Sequence, residues 1–291
     1  MKPVDFQLHR PGTLSETLAL LQDLAQDVKV LAGGQSLLPL LNFRLARPVH
    51  VVDIGRLTGL TGIRRTAREL SVGAMVRHAE AERSASVAAH APLLAAAVPQ
   101  IAHPQVRNHG TVGGSLAHAD PAAELPSVAV ALDAEFVAAS TDGERTVPAA
   151  EFFRTHLTTA LRPGELLTEI RFPRVAPGTG AAFLEVGRRR GDFALVGAAV
   201  QVTLDGPRIA DARVCFSGVD RIPHRCREAE EILTGADVGT ARVREAADAA
   251  RDTISPSDDL HATGAYRRDV AGTLLVRAVA EAARRARPHA D

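Results

Sequence analysis

Two glycine pairs constrain this chain more than any other feature, because each stands where one regular element must hand over to the next. The first lies in Ala32-Gly33-Gly34-Gln35-Ser36 and the second in Thr111-Val112-Gly113-Gly114-Ser115. Glycine tolerates positive φ and has no Cβ, so a pair permits a tight turn and lets another group approach the backbone. The first pair falls between a strand read over Val28 to Leu31 and a helix read over Leu37 to Leu45, with Pro39 tolerated in its first turn. A helix N-terminus offers unsatisfied N–H groups and the positive end of its dipole, the physics of a phosphate site. The second pair has the same ingredients, flanked by the hydroxyls of Thr111 and Ser115. A diphosphate needs several converging donors, and two such loops can grip it from both sides. A lone pair of this kind is more often only a tight connection, and spacing leaves both readings open. Neither loop has the G-x-G-x-x-G pattern of a dinucleotide fold or the G-x-x-x-x-G-K-[ST] of a P-loop.

Around the first loop the pattern is a compact β-α-β-α-β unit. Residues 4–8 alternate as a strand, and Thr13 with Glu16 forms a capping box. Leu14, Leu18, Leu21 and Leu24 then follow at helical spacing, and Val49 to Ile54 gives a further strand. Residues 62–72 read as a hairpin, and 76–102 as helix broken at Pro92. The stretch 108–115 is too irregular for either period, 124–132 is helical, and 135–147 is a hairpin around Thr141-Asp142-Gly143. Strands follow near 165–172, 181–187, 193–204 and 208–217. After Gly218 the pattern is helical, near 226–233, 240–252 and 266–286, with no clear strand.

Composition enters mainly through what it excludes. Lys plus Arg equals Asp plus Glu, 34 each, which gives no reason to expect a nucleic-acid partner. Only two cysteines occur, Cys215 and Cys226, too few for an iron–sulfur cluster or a closed zinc site. Met1-Lys2-Pro3-Val4-Asp5 has no apolar leader, and no apolar run approaches the ~20 residues of a membrane span. The chain is therefore expected in the cytoplasm, with reduced, buried thiols. His118 lacks a nucleophile or carboxylate at an evident spacing, Asp258-Asp259 lacks neighbouring ligands, and Arg188-Arg189-Arg190 is by default a solvated run.

At these residues the chain resembles the FAD-binding, medium-subunit family of the molybdenum hydroxylases, which includes xanthine dehydrogenase and aerobic carbon monoxide dehydrogenase. The resemblance is carried by Leu31 through Leu40 and by His103 through Pro126, which contain the two glycine pairs. Arg188 through Ala194, the Gly218-Val219 to Pro223 turn and Tyr266-Arg267 continue it in family order. It implies an α+β chain: a two-subdomain FAD-binding fold of the vanillyl-alcohol-oxidase/PCMH type followed by a C-terminal α+β domain. The implied limits are 1–57, 58–174 and 175–291.

Carried over residue by residue, Leu31, Ala32, Gly33, Gly34, Gln35, Ser36 and Leu37, together with Thr111, Val112, Gly113, Gly114 and Ser115, are implied to hold FAD, its diphosphate mostly by backbone N–H. Glu124, with Asp120 close by, matches the family's acid near the ribitol. Ile101 and Leu167 match apolar positions near the flavin or adenine, and Phe193 a place where some relatives set an aromatic ring. Xanthine dehydrogenase has a lysine in the strand after Phe183; here that segment reads Leu184-Glu185, and Lys29 is the nearest basic candidate.

The resemblance implies no catalytic residue and no metal ligand on this chain. Electrons would arrive from [2Fe–2S] clusters on a small subunit, supplied in turn by a molybdenum cofactor on a large subunit, in a dimer of heterotrimers. The rival readings are a self-sufficient FAD-dependent oxidase or reductase of the same fold, and a binding module whose glycine turns are only structural.

Overall fold

A computed structural model describes residues 2–24 and 27–287, so the expected outer limits at 1 and 291 lie outside the described residues. The N-terminal unit is a parallel three-stranded sheet with His50–Asp53 between Gln7–His9 and Val28–Leu31. Its first helix, Leu14–Leu24, starts as the capping residues require: Thr13 Oγ1 accepts the Glu16 N–H at 3.2 Å. The Glu16 carboxylate returns to the Gly12 N–H at 2.8 Å, one residue earlier than the expected box. Leu18 and Leu21 are buried against Val52 and Ile54, with Leu14 and Leu24 at the margin. Such burial stabilises by about 2 kcal/mol per leucine.

Two boundaries of this unit differ from the sequence reading by three residues. The first strand begins at Gln7 rather than residue 4, because its partner begins at His50, opposite Gln7. The helix after the first glycine pair is Leu37–Asn42, shorter than 37–45, and the chain turns away at Arg44 with φ 57°.

The central unit is an antiparallel sheet in the order Ile63–Arg65, Glu69–Gly73, Leu166–Pro173, Glu135–Ser140, Gly143–Pro148. Short helices 78–83, 85–90 and 92–97 cover it, Pro92 opening the last of them. Phe136 stacks on Phe152 at 3.9 Å between centroids, with Phe153 edge-on to both. The helix Glu124–Ala131 is buried at all eight positions, which is why it has no polar face.

The reason for that burial is the C-terminal sheet. Its long strands Thr179–Gly187, Ala194–Asp205 and Arg208–Ser217 are antiparallel and apolar on both faces. Phe183, Ala199 and Cys215 join the central core, while Ala182, Val196, Val200 and Phe216 join a second core beneath the helices 227–233, 241–253 and Gly264–Ala286. Gly180 lets the long helix press onto the sheet, since a Cβ there would strike the Ala282 carbonyl oxygen. A two-residue strand, His224–Arg225, closes the edge and is too short to show a period. Both cysteines are buried as free thiols.

Candidate functional site

The two glycine loops, some eighty residues apart in sequence, touch one another. A Cβ on Gly33 would run into the His109 carbonyl oxygen and meet the Gly110 Cα at 2.8 Å. A Cβ on Gly114 would lie 3.4 Å from the Ala32 methyl. Gly33 therefore keeps its hydrogen because backbone meets backbone at this seam. Gly34 answers a different need, with φ 73°.

His78 and Arg77, which sequence reasoning did not single out, fix the second loop from behind. The Arg77 guanidinium donates to the His109 carbonyl, and the His78 N–H to that of Gly110 at 3.0 Å. His78 Nε2 lies 2.9 Å from the Thr111 carbonyl oxygen, which can only accept, so Nε2 carries the proton. Nδ1 is left without a partner among the described residues, and burial lowers the imidazole pKa to about 4.

The second loop is not irregular, as the sequence suggested, but opens a helix, Val112–His118. Thr111 is its N-cap, and its hydroxyl accepts the Gly114 N–H at 3.0 Å. The Val112 amide donates to Val76 O and that of Gly113 to Ala74 O, both at 2.9 Å, and Ser115 N–H to Thr111 O at 3.0 Å. Gly113 is needed for that contact, since a Cβ would collide with Ala74. The four amides of residues 112–115, expected to face a diphosphate, already have acceptors within the chain.

The first loop is the opposite. Among the described residues no chain acceptor reaches the amides of Gly33, Gly34, Gln35 or Ser36, although the Gly34 and Ser36 carbonyls accept the first bonds of the following helix. The Ser36 hydroxyl makes no cap of its own, and the Gln35 side chain braces the turn by donating to Gly33 O at 3.0 Å.

Beyond the second loop the site turns acidic. Glu124, 5% exposed, opens its helix with a pKa raised to about 7 by burial and then by Asp120. Glu185 is raised to about 8 by burial and then by Glu124. The strand thus carries an acid in the segment where xanthine dehydrogenase has a lysine, and it feels the charge of Glu124. His118 is lowered by burial, opposed by Asp120, with His156 and Lys29 adding to the lowering.

The remaining expected residues separate. Ile101 and Leu167 are buried in the central core, Leu31 and Leu37 are half-buried beside the first loop, and Phe193 is 59% exposed. Arg188, Arg189 and Arg190 are exposed, on a turn whose Gly191 packs over the His103 ring. Asp258 and Asp259 cap the last helix: Asp258 accepts the Gly264 N–H at 2.7 Å, and Asp259 pairs with Arg267 at 2.6 Å. Among the described residues no cluster of His, Cys, Asp and Glu could hold a metal ion.

Among the described residues a turn of open amides lies against a second glycine loop, and a sheet domain clasped between two helical layers follows. Residues 4–175 match the family described as the FAD binding domain in molybdopterin dehydrogenase, and residues 181–282 the CO dehydrogenase flavoprotein C-terminal domain. The chain belongs to this family. It is 44% identical over 289 residues to the 6-hydroxypseudooxynicotine dehydrogenase complex subunit alpha of Paenarthrobacter nicotinovorans, covering 99% of this chain and 98% of that one. It is 39% identical over 279 residues to the carbon monoxide dehydrogenase medium chain of Hydrogenophaga pseudoflava, covering 96% and 97%. A solved structure of carbon monoxide dehydrogenase from the latter organism superposes with a TM-score of 0.95 at 40% identity, over 98% of this chain and 99% of that chain. These full-length matches establish the two-part FAD-binding architecture with its C-terminal domain, and favour a subunit over a self-sufficient oxidase.

Proposed function

We propose that this chain is the FAD-carrying subunit of a heteromeric molybdenum hydroxylase, and that the open amides of Gly33 through Ser36 hold the cofactor's diphosphate. The observation that carries this reading is four consecutive N–H groups without an acceptor among the described residues, on a loop whose Gly33 packs directly against the His109–Gly110 backbone. Charge-assisted bonds of that kind contribute about 1.5–3 kcal/mol each. The second loop contributes shape, the Ser115 hydroxyl and close approach at Gly114, while Thr111, Val112 and Gly113 hold that shape. Leu31, Ala32 and Leu37 line the entry; Asp120 and Glu124 face the polyol; Ile101 and Leu167 support the apolar walls from within the core. Phe193, exposed, caps the ring end.

FAD, when bound, supplies the chemistry that gathers single electrons and releases them in pairs. The chain's own task is to orient it, keep its ring system partly shielded and hold charge near it at a fixed value. The electrons come from a small iron–sulfur subunit, and a large molybdenum subunit acts on the organic substrate. The complex is a cytoplasmic dimer of heterotrimers. Membership of a complex is supported by relatives named as medium chains or subunits of dehydrogenase complexes, and the placing of the clusters on another subunit by two cysteines that are both buried. The separate family matches over 4–175 and 181–282 support a division near residue 174, and a division near residue 57 belongs to the same reading.

Titrating the purified chain with FAD tests the reading directly. Stoichiometric uptake with flavin absorbance is expected, together with co-purification of iron–sulfur and molybdenum subunits from the native source and no flavin reduction by small alcohols. A chain that stays colourless with excess FAD overturns it, and alcohol-driven reduction by the chain alone establishes the self-sufficient oxidase.

A further inference from the structure

The strand Arg208–Ser217 leaves its sheet at Gly218, whose backbone is held from three sides. Its φ is 75°, and a Cβ there would strike the Leu195 carbonyl oxygen on the neighbouring strand, so only glycine lets the two backbones close. The guanidinium of Arg267, on the last helix, straddles that contact. Its Nη1 donates to the carbonyls of both Leu195 and Gly218, the second at 3.1 Å. Its Nη2 donates to Asp259 Oδ2 at 2.6 Å, while Asp259 Oδ1 is taken by the amides of His261 and Ala262. Arg267 is only 6% exposed, and this set of acceptors is what sustains a charge buried there. A planar fork reaches all three at once; a lysine ammonium, a single point, does not.

The N–H of Gly218 serves the other part of the molecule, donating to the Pro121 carbonyl at 2.8 Å across the division between the two family matches. Pro121 lies in the loop 119–123, between the helix Val112–His118 and the helix Glu124–Ala131. That loop is folded around Asp120, whose Oδ1 accepts the Ala122 N–H at 2.9 Å and whose carbonyl accepts the Ala123 N–H at 3.1 Å. Among the described residues two backbone bonds tie it to other segments: Gly218 to Pro121, and the Leu157 N–H to the Ala119 carbonyl at 3.2 Å.

We infer that Arg267 is a positioning residue for FAD: it fixes Gly218, Gly218 fixes Pro121, and the loop so anchored holds Asp120 and Glu124 at the cofactor's polyol. This assignment, which rests on the FAD reading above, extends the binding machinery to a C-terminal residue that acts only through backbone. Arg225 offers a contrast. It also crosses the division, pairing with Asp133 and donating to the Val130 carbonyl at 3.0 Å, while Arg213 pairs with the same Asp133. Those contacts lie at the far end of the helix Glu124–Ala131, so they fasten the two parts together without reaching the loop 119–123.

The test is FAD titration of the apoprotein by flavin fluorescence, with the visible circular dichroism of the bound flavin recorded at saturation and unfolding free energy measured alongside. Arg267→Lys should weaken FAD binding about tenfold and Asp259→Asn about threefold, each with an altered flavin dichroism at saturation. Asp133→Asn, which loosens the other contact, should lower stability and leave both affinity and dichroism as in wild type. Arg267→Lys and Asp259→Asn variants that lose only stability overturn the proposal, and so does an Asp133→Asn loss of affinity equal to theirs. A wild-type apoprotein that takes up no FAD overturns the cofactor reading beneath it instead. Should Arg267→Lys fail to fold, Asp259→Asn decides, since Asp259 is half-exposed and an amide oxygen still accepts the His261 and Ala262 N–H groups.

Discussion

The Gly33–Gly34 and Gly113–Gly114 turns are close to interchangeable as sequence and opposite as structure. In the first, four successive amides have no acceptor in the chain among the described residues; in the second, four successive amides are all engaged, by Ala74, Val76 and Thr111. One is open to a ligand and the other is fastened to the protein. A glycine pair between regular elements thus specifies closeness, and what comes close, ligand or neighbouring backbone, is decided by the rest of the fold.

That contrast can be broken first at Gly113. Gly113→Val places a side chain into the Ala74 backbone and should destabilise the chain by about 3 kcal/mol or more, read by denaturant unfolding of the apoprotein. A mild effect there would mean that the second loop is not the fastened one.

The next largest effect concerns acid. His78 is held neutral, its folded pKa near 4 lying below the unfolded value of 6.5, so its contribution is complete above pH 6.5 and is lost as pH falls toward 4. Glu124 and Glu185 shift the other way and partly mask this, so the informative quantity is wild type minus His78→Gln. That difference should move against wild type by up to about 3 kcal/mol between pH 6.5 and 4. A constant difference would show that the ring titrates normally.

At the open loop, Gly34→Ala should cost about 1 kcal/mol for its positive φ, with a larger proportional loss of FAD affinity than of stability. Equal losses would erase the distinction between the loops. Smallest of all, Phe193→Ala should change unfolding free energy by less than about 0.5 kcal/mol, because the ring is mostly in solvent. A larger change would place that ring inside a packed interface.

Most of the architecture is legible in the sequence because it rests on local periodicity. Leu14, Leu18, Leu21 and Leu24 mark their helix, and the long C-terminal strands and helices fall within two residues of the pattern. The helix Val112–His118 is not legible. Two glycines each disfavour helix by about 1 kcal/mol, and what restores it is a cap at Thr111 and close packing on Ala74, neither of which is periodic. Glu185 was read only as a missing lysine, since its meaning depends on a buried carboxyl 61 positions earlier in the numbering, brought near by tertiary packing. His78 looked like an unremarkable helix residue for the same reason: its partners are backbone atoms of another segment.

The seam where Gly33 lies against His109 and Gly110 bears on how this chain can change over time. Side chains that meet can drift together, a larger one compensated by a smaller one across the gap. Main chain against main chain has no such slack. Grafting the first fifty-odd residues from a relative should therefore succeed only when the donor segment brings its own glycine, however well the rest of its surface fits. The N-terminal unit is a cassette with a single-toothed key, and the tooth is a missing methyl group.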